Sequence, residues 1–170
     1  VRDLTAPDAN GVRYMAGDFT AFDAVDTGKS ALVDATTAEV NLAMPKIVGT
    51  SVKAIISDGN GGFYIGGTFT SVGGVARRNA AHINADGTVN PNWNPSPNLE
   101  VKSLLLVGST VYMGGAFDQV GVLNRSYLAA VTTSGAVTSW APQVTGSLPY
   151  INAMIEISGI IYFVGRFTSV

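Results

Sequence analysis

The sequence lacks cysteine and has one histidine, His82, in 170 residues. Without cysteine there can be no disulfide bond, no thiol nucleophile and no cysteine-ligated zinc. A single histidine cannot supply the pair of imidazole ligands common in zinc sites. We therefore predict no metal site and no cofactor.

Charge is also scarce, because charged residues make up 13% of the chain and the formal net charge is -2. Soluble domains average about 25% charged residues. The chain therefore lacks the positive field that attracts nucleic acid or an anionic membrane surface. No apolar run approaches the ~20 residues of a membrane-spanning helix. We predict no nucleic-acid partner and no membrane insertion.

An internal repeat dominates what is present. In four segments a tyrosine is followed three residues later by glycine and five residues later by phenylalanine. The tyrosines are Tyr14, Tyr64, Tyr112 and Tyr162, so the spacings are 50, 48 and 50 residues. Such regular self-similarity predicts a repeat architecture. We predict that Tyr64, Phe69, Tyr112 and Phe117 lie in the core between units.

Each unit contains further strand-like segments around this motif. Upstream lies a strand, called the inner strand below, that starts at Val1, Val52, Val101 or Ile151. Downstream come a third strand, such as Ala80–Ile83, a turn, and a fourth strand that ends on Trp93 or Trp140. The first unit is degenerate and has no tryptophan. The pattern predicts four short strands in each unit.

A period near 50 residues with four strands is typical of a β-propeller blade. Alternating β-branched and aromatic residues with frequent glycine disfavour helix. The inner strand of the second unit is apolar on both faces, with Val52, Ala54 and Ile56 on one and Ile55 on the other. Such a strand must be covered on both sides. We predict an all-β fold, a β-propeller with four-stranded antiparallel blades.

The predicted blades span residues 1–50, 51–100 and 101–150, with a partial fourth blade at 151–170. Propellers normally close with four to eight blades. We therefore expect about three and a half blades of a larger or oligomer-completed ring. The remaining blades of a longer chain, or a second copy, would cover the open faces and edges.

The second unit resembles the delta-60 repeat family. The resemblance is carried by Asp58-Gly59-Asn60-Gly61, by the run from Tyr64 to Gly74, by Arg77, and by Ala81-His82-Ile83-Asn84-Ala85-Asp86-Gly87. The third unit is similar through Gly114-Gly115, Phe117 and Arg125, whereas the first departs at Ala16 and Thr27. The resemblance implies a kelch-like β-propeller of a bacterial surface or secreted protein. It implies a binding or scaffolding role and carries over no catalytic motif.

Two repeated positions are candidates for ligand binding. The second residue of the inner strand is basic in three units, Arg2, Lys53 and Lys102, and is Asn152 in the fourth. These residues would form a partial basic ring at a channel mouth, or else are solvated side chains. The residue between the repeated glycine and phenylalanine varies, being Asp18, Thr68, Ala116 and Arg166. It marks a tailored binding surface or an unconstrained exposed site.

Other conspicuous residues favour structural roles. The glycine pairs, such as Gly66-Gly67, indicate a bulge or a close approach of strands. Asn60-Gly61 predicts a type I′ hairpin turn, and the alternative is the opening of a calcium loop. His82 lies within a strand and is predicted to pack rather than to act as a base.

Two further sets of side chains allow two interpretations each. Trp93 and Trp140 are interpreted as anchors between blades, with sugar stacking as the alternative. Arg77 and Arg125 recur eight residues after Phe69 and Phe117. Their guanidinium groups are predicted to brace loop carbonyls rather than bind a ligand.

The leading functional hypothesis is a non-catalytic binding or structural module of an extracellular or surface-associated protein. Its partner would be a protein or a glycan. The alternative is a carbohydrate-active propeller enzyme, which needs two carboxylates about 5–10 Å apart. A third possibility is that the blades only mediate assembly. No catalytic residue is predicted.

Overall fold

The computed structural model describes residues 3–4, 12–16, 29–37, 39–41 and 44–170. Every helix or strand among them is a β-strand, and all strand pairs are antiparallel. The prediction of an all-β fold is therefore confirmed.

The first two units each form a sheet of four strands. Those of the first unit are β1 (Asp3–Leu4), β2 (Val12–Ala16), β3 (Ser30–Asp34) and β4 (Val40–Asn41), paired in that order. Those of the second are β5 (Ile47–Ser57), β6 (Phe63–Val72), β7 (Val75–Ala76) and β8 (Ala80–Ile83). Strand β6 is central, because β5 lies on one side while β8 and β7 pair with its two ends on the other.

In the third and fourth units two long antiparallel strands correspond to β5 and β6 of the second. The third consists of β9 (Val101–Val107), β10 (Thr110–Gly115), β11 (Gln119–Val120), β12 (Leu123–Asn124) and β13 (Leu128–Thr132). Its sheet has the order β9-β10-β13, and β11 pairs with β12. The fourth unit consists of β14 (Tyr150–Ile157) paired with β15 (Ile160–Arg166).

The predicted fourth strand is reduced in the second and third units, where the prediction was wrong. A single bridge remains in each unit: Ile83 pairs with Val89 in the second, and Val131 pairs with Val137 in the third. Just beyond this bridge in the second unit, Asn90 Oδ1 accepts a hydrogen bond from the backbone N–H of Asn92 at 2.9 Å. Thr138 Oγ1 likewise accepts the Trp140 amide at 3.2 Å. Such side-chain bonds to the backbone compete with ladder pairing, so the chain turns away before a strand develops.

Strand pairing in the second, third and fourth units begins a few residues before the inner strand. Strand β5 crosses residue 50, since Ile47 and Val48 pair with Val72 and Ser71 of the second unit. In the next two units, single bridges join Pro97 to Val120 and Thr145 to Ser169. The segment before each of these inner strands therefore pairs within the same unit as the inner strand itself.

A β-bulge recurs at the same position in the second, third and fourth units. Val52 pairs with Gly67 and Ala54 pairs with Gly66, so Lys53 has no partner in the register. Lys102 is skipped in the same way between Val101 and Ser103. Asn152 is skipped between Ile151 and Ala153.

In these three units the glycine three residues after the repeated tyrosine explains the bulge. A Cβ added at Gly67, Gly115 or Gly165 would overlap the carbonyl oxygen of the residue just before the inner strand, which is Ser51, Glu100 or Tyr150. Only glycine permits that approach of two backbones. The prediction that the glycine pairs mark a bulge and a close strand contact is confirmed.

The bulge also corrects the predicted faces of the inner strand. Val52 packs in the same core as Ile55, whereas Ala54 and Ile56 pack in the next core. The sequence alternation had placed Val52 with Ala54. One extra residue at Lys53 reverses which side of the sheet the preceding residue faces.

The core lies between successive sheets. One cluster joins Ala54, Tyr64 and Trp93 of the second unit to Val101 and Met113 of the third. Another joins the third unit to the fourth; its members include Leu128, Trp140, Ile151, Met154 and Phe163. The third unit is thus covered on both faces by its neighbours.

Tyr64, Phe69 and Phe117 are buried in these cores, as predicted from the repeat. Tyr112 was expected to be equally buried and is only partly so. The reason is a smaller neighbour: Ala130 pairs with Tyr112 where His82 pairs with and covers Tyr64.

Candidate functional site

The bulges bring two of the predicted basic residues to one carboxylate. Lys102 Nζ lies 2.8 Å from Glu100 Oε2, and Lys53 Nζ lies 3.8 Å from Glu100 Oε1. Lys53 belongs to the second unit and Glu100 directly precedes the inner strand of the third. A bulge exposes and redirects the extra residue, which lets both lysines reach the same group.

Two further contacts extend this cluster across three units. Thr68 Oγ1 donates to Glu100 Oε1 at 3.4 Å. The Lys102 ammonium lies 5.1 Å from the centre of the Tyr150 ring, within the range of a cation–π interaction. We call Lys53, Thr68, Glu100, Lys102 and Tyr150 the lysine cluster.

The structure places the other candidate residues as follows. Arg166 is exposed and pairs with Tyr150 across the fourth sheet. Ala116 is partly buried, and its amide donates to the Glu100 carbonyl at 2.9 Å. Asn152 is exposed. Arg2 and Asp18 lie outside the described residues.

Thus the two sequence-predicted sets meet at one place, through Lys53, Lys102 and Thr68. Sequence reasoning missed Glu100, which joins them. The signal available was its position immediately before Val101, where the other units have Ser51 and Tyr150.

The cluster is polar, partly exposed and close to charge balance. The side chains of Lys53, Lys102 and Glu100 are 22%, 27% and 25% exposed. Two ammonium groups share one carboxylate, which leaves one positive charge in excess. Because partly exposed ion pairs contribute only about 0–1 kcal/mol, an anionic ligand could displace Glu100 at small cost.

A second polar network surrounds His82. Its Nε2 lies 2.9 Å from Asp58 Oδ2, its Nδ1 lies 2.9 Å from Asn90 Nδ2, and its ring stacks on Tyr64 with centroids 4.2 Å apart. Asn90 Oδ1 already accepts the Asn92 amide, so its NH₂ group faces His82. His82 Nδ1 is then the acceptor and Nε2–H donates to Asp58.

Both ring nitrogens of His82 are therefore engaged in structural bonds. Neither is left to remove a proton from a substrate. The packing interpretation of His82 is confirmed. Burial, followed by the charge of Asp58, raises the pKa of the neighbouring Tyr64.

The Asp58 loop is a turn, although not of the predicted type. Asp58 Oδ1 accepts the amides of Asn60 and Gly62 at 2.7 and 2.9 Å. Positive φ occurs at Gly59 (81°) and Gly61 (87°) and not at Asn60, so this is not a two-residue type I′ turn. With one oxygen on backbone amides and the other on His82, Asp58 serves as a loop brace.

The repeated arginines brace loops in the predicted way. Arg77 donates to the carbonyls of Ala76 and Asn90, both at 2.8 Å. Arg125 donates to those of Asn124 and Thr138, at 2.8 and 2.9 Å. Burial lowers the pKa of Arg77.

The tryptophans are structural anchors. Trp93 is fully buried, and its indole N–H donates to the Thr132 carbonyl of the next unit at 3.1 Å. Trp140 packs edge-on against Tyr112, with centroids 5.0 Å apart. The interpretation as anchors is confirmed for Trp93, whose ring offers no open face for a sugar.

Within the described residues there is no cluster of three or more histidine, aspartate or glutamate side chains able to hold a metal. Nor does the described part of the chain contain a helix long and apolar enough to cross a membrane. Neither a protein-family model nor a curated protein sequence matches the chain.

Proposed function

We propose that the chain is part of a β-propeller whose repeat units are its blades. Two features support this arrangement. Sheets of successive units pack face to face through equivalent residues. The starts of their inner strands also lie side by side, since Glu100 contacts Lys53 of one unit and Lys102 of its own. In a propeller the inner strands converge in this way around a central channel.

The proposed relationship is to delta-60 repeats of bacterial surface and secreted proteins. The residues that carry the resemblance have repeated structural tasks, which supports the relationship. Gly67 and Gly115 permit the bulge, and Arg77 and Arg125 brace equivalent loops. An extracellular or surface-associated location follows from this resemblance and is part of the proposal.

Within that frame, we propose a non-catalytic module that recognises an anionic glycan or an acidic protein surface. The observation that carries the proposal is the lysine cluster, where bulges on neighbouring units present Lys53 and Lys102 around a single carboxylate. A ligand carboxylate or sulfate that replaced Glu100 would be held by both ammonium groups. Varied side chains at the Thr68 position would then tune selectivity from unit to unit.

The experiment is a glycan array with neutral and anionic members, combined with an assay for released reducing ends. We expect binding to anionic glycans that is weakened by Lys53→Gln with Lys102→Gln. The matched control, Lys29→Gln with Lys46→Gln, removes the same charge elsewhere and should bind normally. An equal loss of glycan binding in both double variants would show that net charge, and not the lysine cluster, determines binding. Release of reducing ends would overturn the non-catalytic proposal in favour of an enzyme.

A further inference from the structure

One face of the fourth sheet is apolar and uncovered. It is formed by alternate residues of its two strands: Ala153, Ile155, Ile157, Ile160, Tyr162 and Val164. Ile155 is 56% exposed and Tyr162 is 50% exposed. We call this surface the open face. A contiguous exposed apolar surface of this kind marks an interaction site.

The equivalent faces of the second and third units are covered by the units that follow them. In the second unit, Ala54 and Tyr64 occupy the positions of Ala153 and Tyr162, and they are 4% and 2% exposed. The sheet of the third unit covers them. The structure itself therefore shows what kind of surface fits this face.

The covering contact is the same where the third unit packs on the second and where the fourth packs on the third. A Cβ built at Gly66 would lie 2.6 Å from Val101 Cγ1 and 3.4 Å from Leu104 Cγ. At the next junction, a Cβ built at Gly114 would lie 2.7 Å from Ile151 Cγ2 and 3.4 Å from Met154 Cε. The first residue of the covering inner strand thus presses against a glycine each time.

We propose that the open face binds another antiparallel repeat unit of this design, through that unit's inner strand and the strand beside it. The proposal rests on the two equivalent junctions. It does not depend on the ligand proposed for the lysine cluster.

Val164 restricts which repeat unit can bind. It stands where the covered units have Gly66 and Gly114, positions at which a Cβ alone already crowds the neighbouring Val101 or Ile151. The partner's inner strand must therefore begin with a smaller residue, glycine, alanine or serine. All four inner strands of this chain begin with valine or isoleucine. A second copy is thus excluded as the occupant in this geometry.

The test extends the chain with its own repeat. Val170 occupies the repeat position of Val120, so a copy of residues 121–170 appended after Val170 completes the fourth sheet and adds the strand pair of a fifth. One extended chain keeps Ile151 in the appended copy, and another carries Ile151→Ala there. A third keeps that isoleucine and carries Val164→Gly in the original unit. Every appended copy carries Tyr162→Phe, which distinguishes its peptide by mass.

Hydroxyl-radical footprinting with mass spectrometry then reports the exposure of the original Tyr162. We expect labelling to fall toward that of buried Tyr64 in the chain with Ile151→Ala and in the chain with Val164→Gly. The chain that keeps both large residues should stay as labelled as the unextended protein. Adding Ile155→Asp in the original fourth unit of the protected chains should restore labelling of the original Tyr162. The Ile155 side chain is more than half exposed, so the unextended fold should tolerate this change.

Unchanged labelling in all extended chains would overturn the proposal. Equal protection in all three would disprove the size restriction set by Val164. Protection of Tyr162 in the unextended protein that rises with concentration and is lost with Ile155→Asp would show that a second copy binds instead.

Discussion

Replacing His82 with alanine should remove one of the strongest polar contacts inside the second unit. The bond from Nε2 to Asp58 Oδ2 is 2.9 Å long, and the two side chains are 9% and 11% exposed. Hydrogen bonds to charged groups contribute about 1.5–3 kcal/mol. Stacking on Tyr64 adds about 0.5–1.5 kcal/mol. The expected loss is therefore about 3 kcal/mol in the free energy of unfolding.

Urea unfolding followed by tryptophan fluorescence measures this loss, because Trp93 lies 4.8 Å from the Tyr64 ring, centroid to centroid. The matched control is Val122→Ala, whose side chain is 91% exposed. It should stay within about 0.5 kcal/mol of the parent protein. In a double-mutant cycle, Asp58→Ala should cost less once His82 is absent, because only the Asp58 bonds to the backbone N–H groups of Asn60 and Gly62 are then lost. If His82→Ala costs no more than the control, the network is not formed as described.

Three other predictions test the core, the bulge and the ionisation of Tyr64. Phe117→Ala should lower the free energy of unfolding by about 3–5 kcal/mol, because the ring is fully buried; a loss below about 1 kcal/mol would mean that the ring is exposed. Gly115→Ala should cost more than Gly114→Ala, since its Cβ meets the Glu100 backbone whereas that of Gly114 meets the movable side chains of Ile151 and Met154; similar losses in urea unfolding would refute the backbone explanation. Burial, followed by the charge of Asp58, raises the pKa of Tyr64, so the unfolded chain loses the phenolic proton at lower pH than the folded chain does. The protonated phenol of Tyr64 therefore contributes its full stabilisation below about pH 10, and this stabilisation is lost as pH rises further. Tyr64→Phe should flatten that alkaline decline in unfolding free energy, and an unchanged slope would contradict it.

The repeat made the fold class and much of the core predictable. Equivalent tyrosines and phenylalanines mark the same buried positions, and Tyr64, Phe69 and Phe117 are buried. Loop-bracing by Arg77 and Arg125 could be predicted because the same side chain recurs at one offset and meets the same backbone each time.

What the sequence could not predict depends on local backbone geometry. The alternation of apolar residues assigned Val52 to the wrong face, because a bulge reverses the pattern without changing composition. The fourth strand was overestimated since Asn90 and Thr138 bond to nearby amides and divert the chain.

The candidate site was only half visible in the sequence. Lys53, Lys102 and Thr68 could be selected because they occupy repeated positions. Glu100 has no counterpart in the other units, and its contacts come from two different units. Pairing across units depends on how the sheets pack, which the repeat period does not specify.

The second, third and fourth units stack face to face through one recurring contact between a glycine and the first residue of the next inner strand. The most direct measurement is a methyl-labelled NMR spectrum recorded for nuclear Overhauser effects. We expect cross-peaks from the Gly66 α-protons to the Val101 methyl groups, and from the Gly114 α-protons to those of Ile151. If these resonances are assigned and both cross-peaks are absent, the units do not stack in this way.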